Sequence, residues 1–299
     1  MKIVFFGNFG RGWDNSICDE VHISDALEEL GHEVVRCQRE ERPILNERYD
    51  FVLMSQWDGY GENLIRDLHT GLNIPVVYWS YDYQADGQEW HERLVKESDL
   101  YLSKRIADSK YPNWQWLSQD FAPSFLDKHP TPIEKDIDVL FTGSYLDFAT
   151  ERNETLKAVD EKFNLVIHSV NAWEGFKDVR PPIMDEGLPE LYARAKVILS
   201  IDHTLEAGYH SDRNAQIMCC GARPLFRYIP LSEATFHDYV DYFYGIEDCI
   251  QKIEGVLAKW KHTIALYNDD NNYAYKYAQE HLKVKNRVQD LLTIVQAHL

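Results

Sequence analysis

The chain is short of positive charge. Its 31 lysines and arginines face 49 aspartates and glutamates, a formal net charge of −18 at pH 7. Duplex phosphate and anionic lipid both demand clustered Lys and Arg, so non-specific binding to either is disfavoured unless a local basic groove exists. Cysteine is scarce as well. Cys18, Cys37, Cys219, Cys220 and Cys249 are odd in number and follow neither a disulfide nor a zinc spacing. A reduced, cytoplasmic setting is the expectation. No apolar run approaches the roughly 18 residues that cross a bilayer. MKIVFF enters a strand directly, without the charged-then-apolar layout of a leader, so no membrane insertion is expected. Zinc spacing, a paired-Asp metal motif and a phosphate-loop lysine are all missing, which predicts neither metal nor cofactor. There is also no low-complexity tract and no short repeat.

What remains is globular. At 299 residues the chain is long enough for two domains, each with its own core. A hydrophobic fraction of 44% and a charged fraction of 27% fit that class. Eight Trp, 18 Tyr and 13 Phe supply planar surfaces for stacking rings. KIVFFG (2–7), a glycine-bearing loop, a helical pattern over 16–30 ending at Gly31, and HEVVRC form a strand–helix–strand unit and imply a parallel sheet. YDFVLMSQW (49–57), IPVVYWSYD (74–82), SDLYLSK and WQWLSQ add strands, with helices over 60–70 and 88–96. Residues 122–136, with three prolines and several charges, have linker composition. IDVLFTGSY (137–145) restarts the strand–helix pattern, continued by a helix over 150–162, the strand FNLVIHSV and a long loop over 171–190. This predicts an α/β chain with domains at 1–125 and 133–272 and a single terminal helix over 273–299.

The most informative stretch is LYARAKVILSIDHTLEAGYHSDRNAQIMCCGARPLFRY (191–228). It reads as a short helix, the buried strand VILSID (197–202), an irregular loop through Gly208, Tyr209 and His210, a second helix and a second strand. Ser211 or Asp212 caps the second helix, and Gly221 with Pro224 ends it. Free backbone N–H groups, Ser211 and Arg213 then face the mouth of a parallel sheet, where an anion such as phosphate is favoured.

GYHSDRNAQIMCCGARPLF resembles the signature of nucleotide-sugar-dependent glycosyltransferases of the two-Rossmann-domain (GT-B) type. It is most similar to the branch holding the spore-maturation glycosyltransferase-like proteins, with a pattern like S-x-R-x-x-E-x-x-A-C-G-x-x-P-L. The resemblance implies two Rossmann-like domains with parallel sheets facing a cleft: an N-terminal acceptor domain and a C-terminal donor domain. It also implies that the terminal helix packs back towards the first domain. The co-substrate would be a nucleotide-diphosphate sugar, a UDP-sugar by preference. Acceptors in scope are a small molecule, a glycan, a protein or, less well matched to the acidic charge, a modified DNA base. The chemistry implied is metal-independent glycosyl transfer, with retention weakly preferred because the resembled clan mostly retains. Alternatives on the same scaffold are an inactive nucleotide-sugar-binding protein and a sugar epimerase.

Candidate donor-binding residues are Arg213, Ser211, Asn214, Gln216, Arg152, Gly143, Ser144, Gly7 and Arg11. Arg213 and the amides near Asn214 would stabilise the leaving diphosphate, with Arg152 a second cation. The competing readings are an ion pair for Arg213 and a solvated surface position for Arg152. Gln216 replaces the family's Glu, which holds the ribose hydroxyls; it either keeps that contact or is a helix-surface amide. Gly7 is either a packing turn or part of a substrate loop that also carries Arg11, Trp13 and Asp14. Candidate catalytic residues are Asp82, Asp14 and His210. Asp82 ends a strand at the ligand-facing edge of a parallel sheet, or else serves as a turn residue. An inverting enzyme would draw its base from Asp14 or Asp82. His210, like His203, sits at a strand–helix crossover and contacts donor or is a structural hydrogen-bonder.

Overall fold

The computed structural model describes residues 1–10, 18–38, 41, 47–57, 59–81, 87–260 and 273–299. Its chain divides into two compact units: Met1–Gln119 with Val284–Leu299, and Asp120–Lys283.

The first unit is built on six strands: β1 (Lys2–Gly7), β2 (Glu33–Gln38), β3 (Phe51–Ser55), β4 (Val76–Ser80), β5 (Leu100–Ser103) and β6 (Trp114–Trp116). All pair in parallel, in the order β2-β1-β3-β4-β5-β6. Parallel strands covered on both faces need continuous apolar runs, and Phe51–Met54 and Val76–Trp79 are almost wholly buried. The helices are α1 (Asp19–Glu29), α2 (Leu64–Leu72) and α3 (Glu89–Glu97). Gly31, at φ +85°, ends α1: its N–H bonds the Glu28 carbonyl while the His32 N–H bonds Leu27.

The second unit repeats the scheme with β7 (Ile137–Thr142), α4 (Thr150–Lys162), β8 (Leu165–His168), β9 (Val179–Arg180), α5 (Leu188–Arg194), β10 (Ala195–Ser200), α6 (Arg213–Cys219), β11 (Pro224–Arg227), α7 (Ser232–Phe236), β12 (Asp241–Phe243), α8 (Ile246–Trp260) and α9 (Tyr273–His281). Its strands are also all parallel, in the order β12-β11-β10-β7-β8-β9. Gly221 closes α6 as Gly31 closes α1, with N–H bonds from Gly221 to Met218 and from Ala222 to Ile217. Residues 120–136 belong to this unit, and Ala122 and Leu126 lie in its core.

Residues 273–299 do not form one helix. The pattern breaks at Leu282–Lys283, between α9 and α10 (Val284–His298). The Leu282 carbonyl accepts the Ala122 N–H at 2.7 Å, and the Lys283 ammonium donates to the carbonyls of Pro123, Ser124 and Leu126. Buried carbonyls demand donors, and satisfying them outweighs two more residues of helix. Beyond the break, α10 belongs to the first unit and packs on α1, burying Val284, Val288, Leu291, Leu292 and Val295.

Candidate functional site

In an open parallel sheet, ligands favour the carboxyl ends of the strands where strand order reverses. In the second unit that point lies between β7 and β10. Arg213, the first residue of α6, spans it. Its Nε donates to the Thr142 carbonyl at 2.7 Å and its Nη1 to the Ile201 carbonyl at 3.3 Å, so one guanidinium ties the ends of both strands. The same guanidinium lies 5.1 Å from the centre of the Phe141 ring. Gly143 follows β7 at φ +155°, and a Cβ there would stand 2.9 Å from Arg213 Nη2. A side chain there would push the guanidinium or the Phe141 ring aside.

A second guanidinium shares that ring. Arg152, in the first turn of α4, lies 5.9 Å from the ring centres of both Phe141 and Trp173. It is 4% exposed, and its Nη2 donates to the Ser144 carbonyl at 2.8 Å. No carboxylate is bonded to it among the described residues, and its Nε has no partner there. Burial lowers its pKa to about 10, and the nearby Arg213 charge acts in the same direction. Two cations therefore sit close together in a largely water-excluded place, where each is costly without a counter-anion. Asp202, just beyond β10, offsets part of that cost. Its buried carboxylate accepts from the Ser211 N–H at 3.2 Å and from the Ser211 hydroxyl, and lies 3.5 Å from Arg213 Nη1. Such a site can take a diphosphate: guanidiniums donate only, and phosphate oxygens accept.

The other expected site residues are placed as follows. Ser144 supplies the carbonyl that Arg152 holds. The Ser211 side chain is engaged by Asp202. Asn214 is fully buried, and neither of its amide atoms has a partner among the described residues. The Gln216 amide donates to Asp212, one turn earlier in the chain. His210 is 1% exposed, bonds Asp120 at 3.2 Å and lies against the rings of Phe226 and Phe236. His203 makes edge contacts with Phe148 and Tyr209. In the first unit, Gly7 ends β1 directly under Glu20 of α1. Arg11, Trp13, Asp14 and Asp82 lie outside the described residues. Sequence reasoning missed Asp202 and the Phe141 platform; their only trace was a strand ending in a polar residue and an aromatic before Gly143. It also missed the ion pair between Glu151 of α4 and Arg227 at the end of β11.

Among the described residues, no group of three or more His, Cys, Asp or Glu is placed to hold a metal ion. No helix among them is long and apolar enough to cross a membrane.

Residues 151–293 match the family model described as glycosyl transferase-like. No curated relative matches the chain. Among solved structures, T4 phage BGT in complex with UDP-glucose is similar at TM-score 0.62 and 16% identity, over 98% of this chain and 99% of that one. An alpha-glucosyltransferase in complex with UDP and a 13-mer DNA is similar at TM-score 0.71 and 14% identity, over 99% and 100%. The Anabaena protein HepE in complex with UDP gives TM-score 0.66 and 12% identity, over 99% and 100%. Likeness at such low identity establishes architecture. The chain thus has the GT-B fold, with a glycosyl transferase-like match over residues 151–293.

Proposed function

We propose that the protein is a glycosyltransferase that takes its sugar from a UDP-sugar and holds the donor diphosphate with Arg152 and Arg213. One observation carries this reading: two guanidiniums share the Phe141 ring beside Gly143, at the reversal point of the second sheet. Solved neighbours with UDP or UDP-glucose bound share the architecture and support the choice of nucleotide.

As the glycosidic bond breaks, its electron pair goes to the departing diphosphate oxygen. The acceptor oxygen bonds the anomeric carbon and its proton passes to the leaving phosphate. Arginines already in place stabilise the charge that develops, without rearrangement. They supply the positive charge that a divalent ion supplies elsewhere, so the proposed transfer is metal-independent. Retention of anomeric configuration, which needs no dedicated base, is the proposed course; it rests on the resemblance of residues 208–226 to the spore-maturation branch. The acceptor is a hydroxyl compound, whether small molecule, glycan or protein. DNA suits a chain of net charge −18 less well, although one neighbour is a complex with DNA. A reduced, cytoplasmic setting is proposed from the free cysteines.

The test is a thermal-shift and calorimetric series with UDP, GDP, ADP and their glucose conjugates, followed by time-dependent release of free nucleotide. Stabilisation by UDP compounds and turnover of the conjugate are expected. Binding without release would instead make it an inactive nucleotide-sugar-binding protein; no nucleotide binding at all would end the donor reading.

A further inference from the structure

The second unit has a cavity at the other end of its strands. It measures about 480 Å³ and lies where residues 127–135 run past the amino ends of β7, β10 and β11. Arg213 ties the carboxyl ends of β7 and β10, so the two places are a strand length apart within one unit. The charged lining is lopsided for a chain of net charge −18: Lys128, Lys135, Lys196 and Arg223 stand against Asp127. Asp127 itself accepts from the Tyr275 hydroxyl and from the Lys128 backbone N–H.

Two of the cations are already neutralised. Lys196 pairs with Asp138 at 2.6 Å and Arg223 with Asp241 at 3.0 Å. The ammonium groups of the other two meet no carboxylate among the described residues. Lys135 donates to the carbonyls of Ala193 and Ala195 at 3.0 and 2.8 Å and lies 5.3 Å from the centre of a Trp260 ring. Burial alone lowers its pKa to about 8, the mark of a charge whose desolvation is not offset. Lys128 lays its stem across Gly221, where a Cβ would stand 2.6 Å from its Cγ, and its ammonium lies 4.2 Å from the centre of the Tyr275 ring.

Ordinary structure accounts for part of this. Lys135 caps the last carbonyls of α5, and an aromatic ring supports each ammonium. Carbonyls and rings stabilise an ammonium without neutralising it, however, and the repulsion between cations around one concavity remains. An anion with several negative oxygens removes it, because each lysine offers donors only.

We propose that this cavity binds a small polyanion, a phosphorylated or polycarboxylated metabolite, with Lys128 and Lys135 as its counter-charges. Its volume is that of a small-molecule site. The site lies wholly in the second unit and does not depend on the donor reading.

The test titrates pyrophosphate and citrate calorimetrically into wild type, Lys128→Gln, Lys135→Gln, Arg213→Ala and Lys162→Gln, with melting temperatures alongside. Lys162, exposed in the last turn of α4, controls for charge alone. Wild type, Arg213→Ala and Lys162→Gln are expected to share one affinity at this site. Lys128→Gln and Lys135→Gln should each lose about 10-fold or more, as removal of a charge-assisted bond implies. Tighter pyrophosphate assigns a phosphorylated ligand and tighter citrate a polycarboxylate. Should Lys135→Gln not fold, Lys128→Gln decides, since it leaves the α5 cap intact. A wild type that binds neither probe at millimolar concentration overturns the site. So does binding that Arg213→Ala abolishes and folded Lys128→Gln keeps, for the anion would then occupy only the Arg213 site. Equal losses in Lys162→Gln and Lys128→Gln overturn it too, because they show diffuse charge rather than a pocket.

Discussion

Arg213 donates from Nε to the carbonyl oxygen of Thr142 at 2.7 Å, which fixes the start of α6 against the end of β7. Nη1 is engaged by the Ile201 carbonyl and Asp202, so Nη2 is the nitrogen that, among the described residues, is left to reach a ligand. Replacing Arg213 or Arg152 by Ala is expected to weaken UDP binding about 10- to 100-fold by calorimetry. Arg213→Lys keeps the charge but not the fork that reaches both Thr142 and Ile201, so it should recover only part of the loss. Wild-type affinity in either alanine variant would remove the arginines from the donor site.

Gly143→Ala places a methyl 2.9 Å from Arg213 Nη2 and 3.1 Å from Phe141 Cζ at a backbone angle suited to glycine. A stability loss of about 1–3 kcal/mol is expected in urea denaturation. UDP affinity should fall with it, since the displaced group is the guanidinium. Unchanged affinity would show that Arg213 has another way to reach its ligand.

His210→Gln tests which of two roles that residue plays. Bonded to Asp120 and enclosed by Phe226 and Phe236, it stands as a packing and hydrogen-bonding element. The substitution should cost about 1–3 kcal/mol of stability and leave UDP affinity and turnover of the folded fraction near wild type. Turnover reduced by two orders of magnitude in a folded variant would restore it as a catalytic candidate.

His91 predicts an acid limb of stability. Its ring lies between the hydroxyls of Tyr78 (2.9 Å) and Tyr101 (3.3 Å), and burial lowers its pKa to about 4. The unfolded chain, with an ordinary value of about 6.5, binds the proton first. Stability from the neutral ring is therefore complete above that value and is lost as pH falls towards the folded one, by about 3 kcal/mol in all. Urea titrations at several pH values should show this slope in wild type and its loss in His91→Gln. An identical slope in both would assign the acid limb to carboxylates.

The sequence disclosed much of this architecture because its parallel strands are continuous apolar runs and α1 and α6 end at glycines in the left-handed region. Runs such as Phe51–Met54 and stops such as Gly31 and Gly221 need no distant partner to be seen. Short edge strands escaped: β9 has two residues and β12 three, too few for a periodic signal. The break after His281 escaped because its cause, the carbonyls of residues 123–126, lies more than 150 positions away. Of the residues proposed to hold the donor, Arg152, Arg213 and Gly143 stand where the strand–turn–helix pattern sets them, beside β7, α4 and α6. The partners of His210 and Glu20 were not legible. Asp120 is 90 positions from His210, and Ser55 is 35 from Glu20, so only the folded sheet brings them together.

The assignment of α10 to the first unit has a bearing on biosynthesis. On the ribosome, residues 1–119 are made before the second unit, yet the helix that covers α1 is made only after it. The apolar side of α1, with Ile23, Ala26 and Leu27, must wait through synthesis of the whole second unit before its cover arrives. Until then the early-made unit leaves that apolar side without its native cover, the kind of transient exposure that favours aggregation.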